Sequence, residues 1–183
     1  MTERSETSSE QLMQAVAAGD LGAFEEIVLR HQKQAWGIAC RFLGDPHAAE
    51  DVAQEAFLRI LDAAPAYRPT AAFRTYLVRV VTRLCLDYAE KKRPVLADEP
   101  PDAVAGGPSP ADRAEMVERD AAIQAALRAL PPNQRMAVVL RYFEGLGGAE
   151  IAGMMNVSAK AAERLLARAR ESLGLKLAPF LKE

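Results

Sequence analysis

The stretch PVLADEPPDAVAGGPSPAD, residues 94–112, interrupts a chain that otherwise repeats apolar residues at a helical period. Proline, glycine, alanine and acidic residues dominate it and no apolar stripe survives, which is the composition of a flexible linker. A chain cut in this way has to bury its apolar residues in two bodies. Outside the linker the period is 3.6 residues, with no alternating run of strand type and no internal repeat. The sequence therefore predicts an all-α protein: two small helical domains, residues 1–93 and 113–183, each with its own core, joined by linker 94–112.

Punctuation divides the first domain into four helices. Ser9 is placed to cap a short helix through Ala18, which Gly19-Asp20 ends. Phe24, Ile27, Val28, Ala35, Ile38, Ala39 and Phe42 carry the stripe of a second helix from Leu21 to Gly44. Asp45 can cap the third, with Pro46 in the first helical position, where its missing N–H costs nothing. That helix runs from about His47 to Ala63, and Pro65 and Pro69 bracket the following loop. The fourth extends from about Thr70 to Lys92 and stops before Pro94. The second domain reads as helices over roughly 113–130, 132–143, 148–155 and 158–175.

Several function classes drop out. No apolar run approaches the ~20 residues of a membrane helix, and Met1 to Gln11 lacks the apolar core of a signal peptide, so no membrane insertion is expected. Cys40 and Cys85 lie inside apolar helical patterns without CxxC spacing, as buried reduced thiols do, and a cytoplasmic location fits. His31 and His47 have no partner cluster, which leaves no metal site. There is no glycine-rich phosphate loop and no nucleophile–base set, so no cofactor and no catalytic residue are expected.

The net charge of −2 conceals a segregation. Residues 1–72 carry 6 basic and 11 acidic side chains, residues 73–93 carry 6 and 2, residues 94–127 carry 2 and 7, and residues 128–183 carry 9 and 5. Two separate basic blocks on an acidic chain suggest two surfaces for one polyanion.

Three segments carry the candidate chemistry. At 47–63, Val52, Ala53, Ala56, Phe57, Ile60 and Leu61 account for the core side, and Asp51, Gln54, Glu55, Leu58 and Asp62 share the opposite face. A leucine among carboxylates suits a protein contact with an apolar centre and a charged rim, and equally an ordinary solvated face. From Ala63 to Arg93, a proline-rich loop with Tyr67 and Arg68 leads into a helix bearing Arg74, Tyr76, Arg79 and Arg83. Aromatic rings interleaved with cations can follow a phosphate backbone and hold unpaired bases, although Phe73, Leu77, Val80, Leu84 and Tyr88 are spaced as core. Near the C-terminus a short helix, the turn Asn156-Val157-Ser158 and a longer helix follow one another. Ser158 can cap that last helix, and Lys160, Arg164 and Arg168 recur every four residues opposite its apolar stripe. This is either a helix-turn-helix or a plain helical hairpin with a basic outer face.

In this order the three segments resemble the sigma factors of bacterial RNA polymerase. FLGDPHAAEDVAQEAFLRIL, from Phe42 to Leu61, is similar to sigma regions 2.1–2.2, FRTYLVRVVTRLCLDYAEKKR, from Phe73 to Arg93, to regions 2.3–2.4, and the stretch from Leu127 to Leu173 to region 4. With regions 1.1 and 3 lacking a counterpart, the resemblance is to the extracytoplasmic-function (ECF) group. It implies that Asp51, Gln54, Glu55, Phe57 and Leu58 dock on the clamp helices of the largest polymerase subunit, with the polymerase flap as a further contact. It also implies that Tyr67, Arg68, Arg74, Tyr76, Arg79 and Arg83 melt and read the −10 element. Ser158, Lys160, Glu163, Arg164 and Arg168 then read the −35 element of promoter DNA, and an anti-sigma factor is a further partner. Four positions depart from the family's habit: Tyr76 stands where Trp is common, Arg83 where Asn is common, Gly147-Gly148 where a Ser-containing pair is usual, and Glu163 where a basic residue is frequent.

Overall fold

The computed structural model describes residues 7–91 and 120–178. Linker 94–112 and the start of the second domain lie outside them. Among the described residues every regular element is helical: α1 (Ser9–Ala17), α2 (Leu21–Leu43), α3 (Pro46–Ala63), a 3-10 turn (Ala64–Ala66) and α4 (Phe73–Lys91), then α5 (120–128), α6 (Pro132–Val138), a π-helical turn (Val139–Phe143), α7 (Gly148–Met155) and α8 (Ala159–Leu177).

Local chemistry sets most of the ends. Ser8, one residue before the expected cap, opens α1: its hydroxyl accepts from the Gln11 N–H, and the Gln11 side chain accepts from the Ser8 N–H, a reciprocal capping box. Asp20 accepts from the Ala23 N–H at the start of α2. Gly44 ends that helix at φ 68°, a left-handed conformation in which a Cβ would be strained. Asp45 then accepts from the His47 and Ala48 N–H groups, with Pro46 in the first turn of α3. The fourth helix starts at Phe73, three residues later than expected. Its cap comes from far along the chain: the Glu10 carboxylate accepts from the Phe73 N–H at 2.6 Å.

The buried side chains of the two halves run together. Ile27, Ile38, Phe42, Ile60, Phe73 and Leu77 from the first half and Met136, Leu140 and Ile151 from the second belong to one continuous cluster of buried side chains. A small second cluster of Leu127, Leu130, Val138 and Ala169 lies within the second half. The reason is written in α4. Leu77, Val78, Val81, Leu84 and Cys85 are all buried, so the helix is apolar around most of its circumference and needs cover on two sides. Helices α2 and α3 supply one side, and α6 and α7 supply the other. Burial pushes the Cys85 thiol up to about 12, whereas Cys40 is only partly buried.

Candidate nucleic-acid interface

On α3 the polar row forms as expected. Asp51, Gln54 and Asp62 are exposed, Glu55 is partly so, and Leu58 stands 56% exposed among them. Arg59 pairs with Glu55 at 2.7 Å, an exposed i,i+4 pair worth ~0.3–0.5 kcal/mol. Phe57 is only 6% exposed and belongs to the core side of the helix, so in the free chain it supports the row from below and is not displayed on it. It faces inward because it lies on the same stripe as Val52, Ala53, Ala56 and Ile60, and its contribution is to seat α3 so that Leu58 points out.

The loop after α3 folds over the first turns of α4 and leaves a pocket of about 260 Å³ lined by Tyr67, Arg68, Thr70, Thr75, Tyr76 and Arg79, among others. Its aromatic wall is part of a chain of ring contacts: His31 to Phe73 at 4.8 Å, Phe73 to Tyr76 at 6.2 Å and Tyr76 to Tyr67 at 5.5 Å between centroids. Burial holds both tyrosine hydroxyls above their ordinary pKa, so they remain neutral donors and do not repel a polyanion. The Tyr67 hydroxyl is buried with no hydrogen-bond partner among the described residues, so the residue offers the pocket its ring. Arg68 and Arg79 bring positive charge to the same pocket.

The other two members of this set lie elsewhere. Arg83 is exposed further along α4, outside the pocket lining. Arg74 pairs with Glu144, at 3.1 Å, in the second half of the chain. Two supporting residues went unnoticed in the sequence. Glu10 is held below the usual carboxylate range, first of all by the Phe73 N–H it accepts. His31, hydrogen-bonded to the Ser9 hydroxyl at 2.8 Å, is kept below its ordinary value by burial. Together they anchor α1 behind the aromatic wall.

In the second half, α7 and α8 form the short helix, tight turn and longer helix of a helix-turn-helix. Glu150 accepts from the Gly147 N–H at 2.7 Å, one half of a capping box, while Gly147 has no side chain to accept from the first turn of α7. Asn156 takes the left-handed conformation (φ 54°) that ends α7. The Ser158 hydroxyl accepts from the Ala161 N–H and caps α8. Lys160, Glu163, Arg164 and Arg168 are all exposed on α8, while Ala162 and Ala169 are buried beneath. The basic row therefore faces solvent from a helix whose N-terminal end carries favourable partial positive charge.

A helix-turn-helix is a form that duplex DNA takes in its major groove, and a cationic aromatic pocket is a form that unpaired bases take, so the class to compare with is that of nucleic-acid-binding proteins. Comparison with known proteins then narrows it. Residues 27–95 match sigma-70 region 2 and residues 120–173 match sigma-70 region 4. RNA polymerase sigma-H factor of Pseudomonas aeruginosa is 32% identical over 95% of this chain and 96% of its own length. The ECF RNA polymerase sigma factor SigW of Bacillus subtilis is 32% identical over 86% and 90%. Among solved structures, CnrH in complex with the cytosolic domain of CnrY superposes with a TM-score of 0.67 at 25% identity, covering 94% of this chain and 99% of that one. The chain belongs to the extracytoplasmic-function group of the sigma-70 family of RNA polymerase sigma factors.

Proposed function

We propose that residues 1–93 act as the polymerase-docking and −10-reading domain, residues 113–183 as the −35-reading domain and residues 94–112 as the tether between them. Asp51, Gln54, Glu55 and Leu58 dock on the polymerase clamp, with Phe57 holding them from below. Lys160, Arg164 and Arg168 grip duplex phosphates around the −35 element, with Ser158 and Glu163 beside them at the groove. The pocket of Tyr67, Arg68, Tyr76 and Arg79 receives an unstacked −10 base, and Arg74 and Arg83 extend the cationic face of α4.

The observation that carries this reading is the pocket. Extruding a base costs a few kcal/mol, and stacking on an aromatic wall returns ~1–3 kcal/mol per base, so capture here roughly offsets opening. Neither basic surface is large, but docking on one polymerase raises the effective concentration of each for the promoter. The work is recognition, without a catalytic step of the chain's own, and it takes place in the cytoplasm. The resemblance supports an anti-sigma polypeptide as a further partner, as does the neighbouring complex in which CnrH is bound by the cytosolic domain of CnrY.

The test is run-off transcription with purified core polymerase on a promoter library, alongside co-purification of Asp51→Arg/Glu55→Arg. Both carboxylates sit on the accessible row around Leu58, so the double variant should melt like the parent protein and lose core binding. Undiminished co-purification would refute the docking assignment.

A further inference from the structure

Beside the apolar cluster they share, the two halves of the chain meet in a small set of polar contacts, several of them on one carboxylate. The π-helical turn Val139–Phe143 widens the end of α6, and the two residues it delivers, Phe143 and Glu144, lie against α2 and α4. Arg41 of α2 lies over the Phe143 ring at 4.6 Å. The Glu144 side chain is only 6% exposed. Its Oε2 accepts from the Gln34 amide of α2 at 2.6 Å and from the Arg74 guanidinium of α4 at 3.1 Å, and its backbone carbonyl lies 3.4 Å from the same guanidinium. Nearby, Arg135 of α6 donates to the Phe42 carbonyl at the end of α2 at 2.7 Å, and to the carbonyls of Arg128 and Leu130.

We propose that Glu144 is an intramolecular latch: its carboxylate occupies, on Arg74, the position a DNA phosphate takes in the open complex, and so holds the free chain closed and silent. The proposal rests on the reading of Arg74 as a −10-facing cation. Geometry makes the closed form incompatible with promoter reading. Helices α6 and α7 pack on α4, and α8 packs on α6 and α7. At ~8–10 Å per helix layer, α8 lies about 20 Å from α4, axis to axis. Two grooves one and a half helical turns apart are separated by about 50–55 Å. The 19-residue segment 94–112, at ~3.3 Å per residue, reaches ~60 Å, so the tether permits opening once the latch is released. A carboxylate is also the right plug chemically. It offers arginine the same acceptor geometry as a phosphate, so a promoter phosphate displaces it like for like, and no cation is left bare in either state.

The experiment uses the full chain as wild type, E144Q, Q34A and the double variant E144Q/R74A, each checked for helicity and a cooperative melt. Q34A removes the 2.6 Å contact without touching a residue assigned to DNA. Small-angle scattering reads closure: one compact body of this length has a radius of gyration of about 16 Å, and both single variants should exceed the wild-type value as an opened fraction appears. Binding to a pre-melted −10 bubble across a salt series reads the plug: E144Q should bind about 5-fold tighter, with a log–log slope steeper by ~0.7 for the one phosphate that Arg74 regains. The double variant should lose that gain in slope. Unchanged dimensions in both single variants would overturn the latch. Expansion without tighter bubble binding, in a chain whose wild type supports run-off transcription, would overturn the phosphate mimicry. If the wild type fails with core polymerase, the promoter reading falls, and the scattering result still decides the latch.

Discussion

Glu10→Ala tests how the base pocket is held in place. The Glu10 carboxylate accepts from the Phe73 N–H at 2.6 Å across 63 residues of chain, and so fixes the first turn of α4 against α1. Removing a capping side chain costs ~0.5–2 kcal/mol, and a carboxylate at a helix N-terminus adds ~0.3–1 kcal/mol. The expected loss at neutral pH is therefore about 2 kcal/mol. At ~2–4 °C per kcal/mol for a chain of this size, the melting temperature should fall by roughly 4–8 °C. The effect also has a definite pH dependence. Accepting the Phe73 N–H lowers the folded-state pKa of Glu10, so its contribution is complete above the unfolded value, ~4.3, and fades as pH falls through the lower folded value. Urea unfolding of parent and variant should show the full gap at pH 7 and a shrinking gap as pH drops below about 4. The variant should also open promoter DNA more slowly by permanganate footprinting, because Tyr76 follows Phe73 by one turn. No gap at pH 7, or the full gap persisting at pH 3, would refute the argument.

Other outcomes follow from the same structure. Arg164→Ala with Arg168→Ala should lower the log–log salt slope of closed-complex binding by ~1.8, at ~0.9 per lost phosphate contact, and lower salt should rescue the variant. Tyr76→Ala should leave closed binding nearly unchanged and slow strand opening, with a pre-melted −10 bubble restoring activity; a bubble that rescued the arginine variant instead would reverse the two assignments. Cys85, fully buried with its thiol pushed up to about 12, should resist alkylation at pH 8 until the protein is denatured, as mass spectrometry of labelled peptides would show. Cleavage at a protease site engineered into residues 94–112 should leave two fragments that co-elute in gel filtration, because one core spans both; separate elution would contradict that core.

What the sequence disclosed was local. Asp45, Pro46 and Gly44 mark the junction of α2 and α3 by chemistry confined to a few residues, and it appears in the structure as expected. The same holds for the Asn156-Val157-Ser158 turn and the row Lys160, Arg164, Arg168. What stayed hidden depends on partners far away in the chain. Glu10 reads as one acidic residue in a polar N-terminus, because the N–H it caps lies 63 positions on. Glu144 carries no signal in the sequence, since its partners are 70 and 110 positions away. In α4 the apolar letters are nearly continuous, so periodicity picked out Leu77 and Leu84 but missed Val78 and Val81, whose burial follows from the second layer packed on that helix. Phe57 lies inside, as its own stripe reads, and only the family motif sets it among the docking residues.

The core shared by the two halves links the heat resistance of the chain to its output in an unusual way. In an ordinary domain, trimming a buried side chain such as Ile60 lowers melting temperature and function together. At Met136, Leu140 or Ile151, where the second half of the chain joins the common cluster, the same trimming weakens the fold and, under the proposed latch, should also favour opening. Plotted across a panel of core variants, activity should rise as melting temperature falls for these positions and fall with it elsewhere, so the sign of that slope sorts junction from scaffold. Selection for a sturdier chain would then produce a duller transcription factor.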